Sequence, residues 1–449
     1  MKPAWHPYLQ RNVPRYTSYP SALAFSEDVG TPQLETALSG IGQYEPISLY
    51  LHIPFCKQLC WYCGCNMRVE NRDERIAAYA DDLISELGLL GAQLAGRGRL
   101  TQVHFGGGTP NTLQARDLER LLAAIEDNFR LTDATPVAME IDPRLCSAFQ
   151  AAHLVRAGIN RFSIGVQDFH EDVQRAINRV QPFELVRDCV AMLRQGGVRD
   201  ISLDLLYGLP KQTGRGFADT VSRSISLAPD RISLFGYAHL PARLKHQRLI
   251  NERDLPSRDE RTELAEMAAQ QLEEAGYQRI GFDHFALPTT PIAEAARRHT
   301  LNRNFQGYTE DCANVVIGAG VSAISSVHGT IVQNAKDLRA WQARLRAGAL
   351  TANRGVIATL EEEDLGDWIK RLLCDMRASL TRYFDIIQAD GPTCEGIINA
   401  LQPFVIDGII SIDGDDVVVA REATPLARVV AAVFDPHVND IQRYASPAV

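Results

Sequence analysis

Two hydrophobic patterns alternate along the chain between residue 47 and about residue 285. Short runs rich in β-branched and aromatic residues are typical of buried strands, whereas longer segments with apolar residues at i, i+3 and i+4 are typical of amphipathic helices. The short runs predict six strands, at residues 47–53, 101–105, 137–142, 161–167, 200–206 and 231–237. The longer segments predict helices that include residues 73–90, 115–129 and 261–277. Repeated βα units of this kind form a parallel sheet, which is either doubly wound or barrel-like.

Polar residues or glycines lie at or just beyond the carboxyl end of each predicted strand. In chain order they are the cysteines of 56–65, the glycines of 106–108, Glu140 with Asp142, Gln167 with Asp168, Asp204, and Tyr237 with His239. Sites in parallel α/β folds lie at the carboxyl ends of strands, and a doubly wound sheet uses only the strands near its switch point. Six successive strands with such residues therefore favour one shared site at the mouth of a βα barrel.

The two ends of the chain differ from this repeating region. The amino-terminal residues lack a strong periodicity and predict an arm or short helices that cover the site. Beyond residue 355, the pattern predicts a helix at 359–380, a hairpin at 408–420 with its turn at Gly414–Asp415, and a helix at 424–438. The predicted division is an arm (1–45), a βα barrel (46–350) and a small α+β domain of winged-helix-like type (351–449).

Composition and charge narrow the class of function. The formal net charge of −9 argues against nonspecific nucleic-acid binding, although a local arginine cluster could still bind an anionic small molecule. The amino terminus is polar where a signal peptide needs an apolar core, and the most apolar run, 315–327, is glycine-broken and too short to span a bilayer. These features predict a cytoplasmic protein without a membrane span, in which disulfides are not expected.

Four of the nine cysteines lie within ten positions, at Cys56, Cys60, Cys63 and Cys65. Structural zinc usually requires two separated pairs of ligands, and no second pair follows this run. A redox CxxC would use Cys60 and Cys63 but would leave the other two thiols without a role. An iron–sulfur cluster takes several thiolates from one short loop, and three ligands would leave one iron open to a chelating cosubstrate. The other five cysteines are interpreted as small buried hydrophobic residues, at Cys146, Cys189, Cys312, Cys374 and Cys394.

The CxxxCxxC spacing after the first strand of a βα barrel resembles the signature of the radical S-adenosylmethionine (SAM) superfamily. The segment GGGTP (106–110) is similar to the SAM-binding glycine motif of that superfamily, since glycine lets a ligand approach the backbone closely. The resemblance implies a partial, open TIM-like βα barrel of the radical SAM type. It also implies that the open iron binds SAM, and that an electron from the cluster cleaves SAM to methionine and a 5′-deoxyadenosyl radical, which abstracts a substrate hydrogen.

Further motifs resemble one branch of this superfamily, the oxygen-independent coproporphyrinogen III oxidases. These motifs are RYTSYPSALAF (15–25), CGCN (63–66), EIDPR (140–144), GVQDF (165–169), DLLYGLPKQT (204–213), YAHLP (237–241), FDHFA (282–286) and NRNFQGYT (302–309). The resemblance implies that two propionates of coproporphyrinogen III are oxidatively decarboxylated to the vinyl groups of protoporphyrinogen IX, in anaerobic haem synthesis. It also implies an electron-donor protein such as flavodoxin or ferredoxin, and a monomeric enzyme.

The same resemblance assigns residues to the cofactors. It implies one [4Fe–4S] cluster held by Cys56, Cys60 and Cys63, with Cys65 present in the motif but not a ligand. It also implies two bound SAM molecules. The residues implied to contact SAM are Tyr50, Tyr62, Gly107, Gly108, Thr109, Glu140, Gln167, Arg179, Asp204, Ala238 and Ile324.

Without the resemblance, several of these residues have ordinary structural interpretations. Glu140 and Asp204 could be helix caps or ion-pair partners, and Arg179 could be a solvated charge on a helix. His52 lies inside an apolar strand and is interpreted as a buried structural histidine, so we do not assign it to the site.

Two arginines are candidate substrate ligands, because coproporphyrinogen III carries four propionates. They are Arg15 in the arm and Arg303 in the NRNFQGYT segment. Arginine suits planar carboxylates because its fork donates two hydrogen bonds at once.

Three alternatives stay open at this point. The nearest are two paralogous radical SAM proteins, a haem chaperone and a haem-degrading methyltransferase; the third is a noncatalytic haem-binding or metal-carrier protein. The chaperone typically lacks the final Cys-Asn of the cysteine run and the YTSYP arm, and both are present here, at 65–66 and 16–20. Methyltransferase relatives share more of the pattern.

Overall fold

All six predicted strands are present in the computed structural model, which describes residues 2–132, 134–438 and 446–447. They belong to a twelve-stranded sheet whose strands are β1 (Pro46–Ile53), β2 (Arg99–Gly107), β3 (Val137–Ile141), β4 (Arg161–Gln167), β5 (Asp200–Tyr207), β6 (Arg231–Gly236), β7 (Gln278–Ile280), β8 (His284–Ala286), β9 (Val315–Ala319), β10 (Ile324–Val327), β11 (Thr330–Asn334) and β12 (Ala352–Ile357). The order across the sheet is β7-β8-β6-β5-β4-β3-β2-β1-β9-β10-β11-β12.

The centre of this sheet is parallel and its two margins are antiparallel. Strands β1 to β6 pair in parallel with their sequence neighbours, and β9 adds in parallel to β1. Beyond these strands the pairing is antiparallel, on one side through β8 and β7 and on the other through β10, β11 and β12. Within the described part of the chain the sheet keeps two edges, so it forms the predicted partial, open βα barrel.

The helices cover the sheet and form most of the carboxyl-terminal region. They are α1 (His6–Leu9), α2 (Thr31–Ser39), α3 (Asp73–Leu94), α4 (Ala115–Asn128), α5 (Ala148–Arg156), α6 (Glu171–Ala176), α7 (Phe183–Gln195), α8 (Gly214–Ser226), α9 (Arg258–Glu274), α10 (Pro291–Arg297), α11 (Leu338–Arg346), α12 (Leu360–Asp375), α13 (Leu380–Ile386), α14 (Gly391–Ile406) and α15 (Ala427–Ala431). The helices that follow β1 to β5 are the crossovers that parallel pairing requires.

Two predicted helices are shorter than expected. The helix predicted at 359–380 ends at Asp375, because Met376 adopts a left-handed conformation with φ of 55° and Arg377–Ser379 pairs as a strand. The helix predicted at 424–438 is α only over Ala427–Ala431, between two short 3₁₀ segments. Apolar periodicity identifies a buried face, but it does not show where the backbone leaves helical geometry.

The arm and the carboxyl-terminal region pack into the same hydrophobic core as the sheet. The Trp5 indole donates to the carbonyl of Asp407 at 2.8 Å, and the Tyr8 hydroxyl donates to its carboxylate at 2.6 Å. The predicted hairpin is present and joins Arg377–Ser379 in a three-stranded sheet. Strand β12 belongs to the large sheet although it lies beyond residue 350, where the barrel was predicted to end. The predicted division into three domains stays a prediction. No helix in the described ranges has both the length and the apolar character needed to cross a bilayer.

An ion network fills the amino-terminal ends of the central strands. Arg161, Asp200 and Arg231 begin β4, β5 and β6; both arginines bind Asp200, at 2.9 and 2.8 Å, and both also pair with Glu310. Burial alone would raise the pKa of Glu310, but the charges of Arg231 and Arg161 outweigh it and hold the pKa at about 2. Two arginines and two carboxylates balance in charge within this network, so we look for the site at the opposite end of the barrel.

A second buried carboxylate, Glu86 on α3, holds the turn between β9 and β10. It accepts hydrogen bonds from the backbone of Gly320 and from the side chains of Asn334, Trp341 and Thr351. Burial raises its pKa to about 7, although these hydrogen bonds act in the opposite direction. Glu86 therefore keeps its proton in the folded chain at pH values where the unfolded chain has lost it.

The raised pKa of Glu86 predicts a pH-dependent stability. Between pH 4.5 and about pH 7 the unfolded chain binds fewer protons at this position, so the stability contributed by Glu86 falls as the pH rises through this window. The loss amounts to about 3 kcal/mol in total. Relative to the wild type, Glu86→Gln should melt at a lower temperature at pH 5, and the gap should narrow towards pH 7. If anaerobic melting curves show the same difference in melting temperature between the two proteins at pH 5 and pH 7, the raised pKa of Glu86 is contradicted.

Candidate active site

A cavity of about 1330 Å³ opens at the carboxyl ends of β1 to β6. One part of its lining, which we call the thiol wall, contains Cys56, Cys60, Cys63 and Cys65 together with residues that follow β2, β3 and β4. Another part, which we call the arginine wall, contains six arginines from distant segments: Arg15, Arg261, Arg279, Arg303, Arg421 and Arg428. Arm residues 13–18 and 21–23 also line the cavity.

The four cysteines lie on one loop. A short strand pairing joins its two ends, and hydrogen bonds from a distant segment hold its middle. After β1 the chain forms a two-residue strand, Phe55–Cys56, that pairs in parallel with Arg68–Val69. On the outer side, the imidazole Nε2 of His246 lies 2.7 Å from the carbonyl of Cys63, and the Gln247 amide donates to the carbonyl of Tyr62 at 3.0 Å. The loop is therefore shaped by backbone contacts that leave the thiols available for ligation.

The glycines after β2 pack directly against the backbone that carries the cysteines. Gly107 has φ of 115°, and a Cβ there would lie 2.6 Å from the His52 ring. At Gly108 a Cβ would lie 2.8 Å from Pro54 and 2.9 Å from Phe55 backbone atoms, so any side chain would displace the cysteine loop. This packing is a reason for glycine that the sequence did not reveal, and it is independent of the predicted approach of SAM.

Glu140 lies at the end of β3 and joins two neighbouring strands. Its carboxylate accepts a hydrogen bond from the Gly107 backbone at 3.1 Å and lies 3.1 Å from Nε2 of His104. Burial would raise its pKa, but the hydrogen bond and charge of His104 outweigh burial, and the net shift is downward. Glu140 is thus held as an anion beside the glycine segment.

Tyr50 lies behind this carboxylate and connects it to the cysteine loop through His52. The Tyr50 ring stacks on His104, its hydroxyl lies 3.1 Å from Nδ1 of His52, and Nε2 of His52 lies 2.8 Å from the carbonyl of Asn66. His52 is 6% exposed, which agrees with its interpretation as a buried structural histidine. Its contact with Asn66 shows that it also supports the end of the cysteine loop.

Arg179 stands between a cysteine and an acidic residue. Its guanidinium lies 3.6 Å from Sγ of Cys60 and 3.3 Å from the carboxylate of Asp142, and it also donates to the carbonyl of Gly165 at 2.8 Å. Arg144 approaches the same two partners, at 2.6 Å from Asp142 and 3.9 Å from Cys60. Two guanidinium groups at this point of the cavity create a place for a carboxylate.

Gln167 and Asp204 complete the polar lining between the two walls. A register shift in β4 places Gln167 in the left-handed region with φ of 67°, and such bulges re-aim a side chain at the end of a strand. Asp204 accepts a hydrogen bond from the Ser163 hydroxyl at 2.7 Å, and burial raises its pKa. Asp168, which follows Gln167, is fully buried and bonds to Gln212 and Thr220, so its role is structural.

The structure brings most of the predicted site residues to one cavity. Those that line it are Arg15, Cys56, Cys60, Tyr62, Cys63, Gly107, Gly108, Thr109, Glu140, Gln167, Arg179, Asp204, Ala238 and Arg303. Tyr50 and Ile324 do not line it: Tyr50 lies behind Glu140, and Ile324 begins β10 on the other side of β1 and β9. Their contacts with SAM, like those of the lining residues, stay predictions.

Sequence reasoning missed five arginines of the cavity, which are Arg144, Arg261, Arg279, Arg421 and Arg428. Arg144 belongs to the EIDPR segment, so membership of that motif was an available signal. Arg428 is a lone charge within the apolar segment 426–434, and a charge in such a segment is unusual unless it faces a partner or a ligand. For Arg261, near the start of α9, we find no signal that separates it from the solvated charges around it.

The donor set of the thiol wall fits a cluster with three protein ligands. Cys56, Cys60 and Cys63 share one short loop and one cavity, and the Cys56 thiol lies 3.1 Å from the Thr109 hydroxyl. In the described ranges, no three His, Cys, Asp or Glu side chains are grouped as they would be around a single metal ion. A cubane does not need that grouping, because each thiolate binds a different iron. Of the other cysteines, Cys146, Cys189 and Cys374 are buried as expected, whereas Cys394 is only partly buried and Cys312 is exposed.

Comparison with known proteins gives consistent similarities over nearly the whole chain. Residues 50–223 match the family model described as the radical SAM superfamily. The chain is 41% identical over 445 residues to an oxygen-independent coproporphyrinogen III oxidase of Bradyrhizobium diazoefficiens, with 98% of each chain covered. It is 38% identical over 435 residues to the protein of that name from Escherichia coli, covering 96% of this chain and 94% of the other. The solved structure of coproporphyrinogen III oxidase (HemN) from Escherichia coli, titled a radical SAM enzyme, superposes with a TM-score of 0.89 at 36% identity, over 96% of this chain and 100% of that chain.

Proposed function

Because the chain belongs to the oxygen-independent coproporphyrinogen III oxidases of the radical SAM superfamily, we propose that it converts coproporphyrinogen III to protoporphyrinogen IX in haem biosynthesis. The reaction is the oxidative decarboxylation of two propionates to vinyl groups. The observation that carries the proposal is that the three thiols of the CxxxCxxC run and a set of arginines line the same cavity. One set suits a cluster, and the other suits a substrate rich in carboxylates.

The cofactors of this family are a [4Fe–4S] cluster and SAM, and we propose which residues hold them. Cys56, Cys60 and Cys63 would ligate the cluster, and the predicted SAM contacts that line the cavity would position two SAM molecules. When bound, cluster and SAM supply the radical that removes a hydrogen from a propionate. Among the chain's own groups, the carboxylate of Glu140 suits a cationic amino group, and Asp204 suits ribose hydroxyls.

The arm contributes to this proposal by enclosing the substrate. Residues 13–18 line the cavity, and the Tyr16 hydroxyl donates to the Asp435 carboxylate at 3.0 Å, which ties the arm to the carboxyl-terminal region. By covering part of the cavity, the arm limits the access of water to reactive intermediates. Arg15 and Arg303 would bind substrate carboxylates, and the carbonyl of Arg15 accepts a hydrogen bond from Arg303 at 3.2 Å.

We further propose the setting in which the protein works. By resemblance to its family it acts as a cytoplasmic monomer and receives electrons from a small donor protein such as flavodoxin or ferredoxin. Native mass spectrometry tests the first of these statements, and reduction of the cluster by each purified donor tests the second. A stable dimer would contradict the expected oligomeric state.

The function is tested by anaerobic incubation of the reconstituted protein with SAM, a reductant and coproporphyrinogen III. We expect protoporphyrinogen IX, released CO₂, methionine and 5′-deoxyadenosine. Haem binding without decarboxylation would instead support the haem-chaperone alternative, and haem degradation with methyl transfer would support the methyltransferase. A protein without the visible absorption of an iron–sulfur cluster would contradict the proposal at its first step.

A further inference from the structure

The arginine wall is assembled from parts of the chain that are distant in sequence. Arg15 comes from the arm, Arg261 from α9, Arg303 from the short strand Asn302–Asn304 and Arg428 from α15. Assembly of like charges from four segments has an energetic cost unless a ligand compensates it, because like charges repel and buried charges lose hydration.

Two of these arginines share one aromatic ring. The guanidinium carbon of Arg303 lies 4.6 Å from the ring centre of Phe282, and that of Arg428 lies 5.3 Å from the same centre. Arg303 also lies 4.5 Å from the ring of Tyr308. An aromatic face holds a guanidinium without neutralising its charge, so the Phe282 ring positions both arginines.

Arg261 reaches the cavity through a space left by a glycine. At Gly208, directly after β5, a Cβ would lie 3.1 Å from the guanidinium carbon of Arg261. In the part of the chain that the structure describes, Nε of Arg261 and both Nε and Nη1 of Arg303 have no hydrogen-bond acceptor. Arg303 is 8% exposed, so water replaces the missing acceptors only in part.

The charges around the wall do not balance. Six arginines line it against four carboxylates, which are Glu266, Glu273, Asp283 and Glu422. Glu273 already binds Arg279 at 3.1 Å, and Asp283 lies 2.6 Å from Nδ1 of His284. Burial, together with the charges of Arg15 and Arg303, lowers the pKa of Arg428 to about 10, although Tyr207 and Asp283 act in the opposite direction. The surplus of positive charge suits a ligand with at least two carboxylates.

We propose that Arg261 and Arg428 complete, together with Arg15 and Arg303, a binding wall for the propionates of coproporphyrinogen III that are not being decarboxylated. The inference rests on the proposed function. The reacting propionate must lie at the thiol wall, where SAM would be held, and the macrocycle then carries its other carboxylates to a different part of the cavity. The wall would select substrates by their number of carboxylates, and it includes α15 of the carboxyl-terminal region.

The test compares Arg261→Gln and Arg428→Gln with the wild-type holoprotein in anaerobic turnover of coproporphyrinogen III. Each variant should raise KM about tenfold with kcat changed by less than about threefold, because the lost contact binds substrate and transition state alike. The KM of Arg428→Lys should lie between those of the wild type and Arg428→Gln, since lysine keeps the charge but cannot donate two hydrogen bonds to one carboxylate. Arg382→Gln is the matched control: it removes the same charge from an exposed position of the carboxyl-terminal region that does not line the cavity, and it should leave KM unchanged.

A binding experiment gives a readout that does not depend on turnover. The holoprotein is titrated with two stable porphyrins, coproporphyrin III with four carboxylates and protoporphyrin IX with two. The wild type should prefer coproporphyrin III, and both glutamine variants should lose most of that preference while keeping their iron content and absorption spectrum. If the wild type is active but both glutamine variants keep the wild-type KM and the wild-type preference for coproporphyrin III, the arginine wall is refuted and the proposed function is not. A wild type that binds coproporphyrin III through these arginines but forms no protoporphyrinogen would refute the proposed function and leave the wall intact.

Discussion

Replacing Cys60 by serine is expected to remove the visible absorption of the cluster and to reduce protoporphyrinogen formation to background. Cys60 is 7% exposed and lies beside Arg179 and Arg144, so no other thiol can reach its place without moving the loop. A cluster with three protein ligands does not tolerate the loss of one, because the remaining two hold only half of its irons. Iron and sulfide analysis with the absorption spectrum measures the first effect, and anaerobic turnover measures the second.

Two matched controls separate ligation from general thiol effects. Cys65→Ser removes a thiol from the same loop and the same cavity, and it should retain iron and absorption because Cys65 is not a predicted ligand. Cys312→Ser removes an exposed thiol outside the cavity lining, and it should change neither the cluster nor turnover. A Cys60→Ser protein with full iron content, or a Cys65→Ser protein without iron, would show that the ligand assignment is wrong.

Glu140→Gln is expected to reduce reductive cleavage of SAM about a hundredfold, a loss typical of removing one preorganised polar group from a catalytic site. The carboxylate accepts hydrogen bonds from two sides, from the Gly107 backbone and from His104. A glutamine of the same shape removes the negative charge. Its oxygen can still accept from the Gly107 backbone, and its amide group can donate to Nε2 of His104 in the other tautomer, so the loss of the anion is the main change. The measurement is the yield of methionine and 5′-deoxyadenosine with dithionite as reductant, in the absence of porphyrinogen.

Glu422→Gln provides the matched control for this prediction. Glu422 lines the arginine wall of the same cavity, and the substitution makes the same chemical change at an exposed position. It should leave SAM cleavage unaltered. A Glu140→Gln protein that cleaves SAM within about twofold of the wild type, with its cluster intact, would show that Glu140 has only a structural role between β2 and β3.

These expectations divide the cavity by chemistry. Changes at the thiol wall should affect the cluster or SAM cleavage before any substrate is present, whereas changes at the arginine wall should affect KM for the porphyrinogen. The arginines of the two walls also have different neighbours. Arg179 and Arg144 contact Cys60 and Asp142. Arg428 instead interacts with the charges of Arg15, Arg303 and Asp283. This division would be contradicted by a thiol-wall variant that changes only KM, or by an arginine-wall variant that changes only the cluster or SAM cleavage.

Much of the site could be inferred from local sequence. The cysteine spacing, the glycine segment and the polar residues after each strand are encoded within a few positions of each other, and parallel βα order places them at one end of a barrel. For that reason Cys56, Cys60, Cys63, Glu140 and Asp204 could be named from the sequence, and the structure places all five at one cavity.

The remaining features depend on contacts between distant segments. The structural reason for Gly108, its close packing on Pro54 and Phe55, exists only once β2 lies beside β1. The early end of α12 at Asp375 depends on a strand pairing with residues about 40 positions further on.

The sequence by itself was enough to predict the barrel from the order of its segments and the family from motifs that resemble it, and the cysteine loop is predicted to hold the cluster because its spacing lies within one segment. The tertiary structure alone decided which charges face one another. Arg261 and Arg428 look like ordinary charges along the chain, and they become a candidate carboxylate site only where Gly208 and Phe282 bring them to the same cavity as Arg15 and Arg303. Electrostatic function depends on distance in space, and a sequence records distance only along the chain.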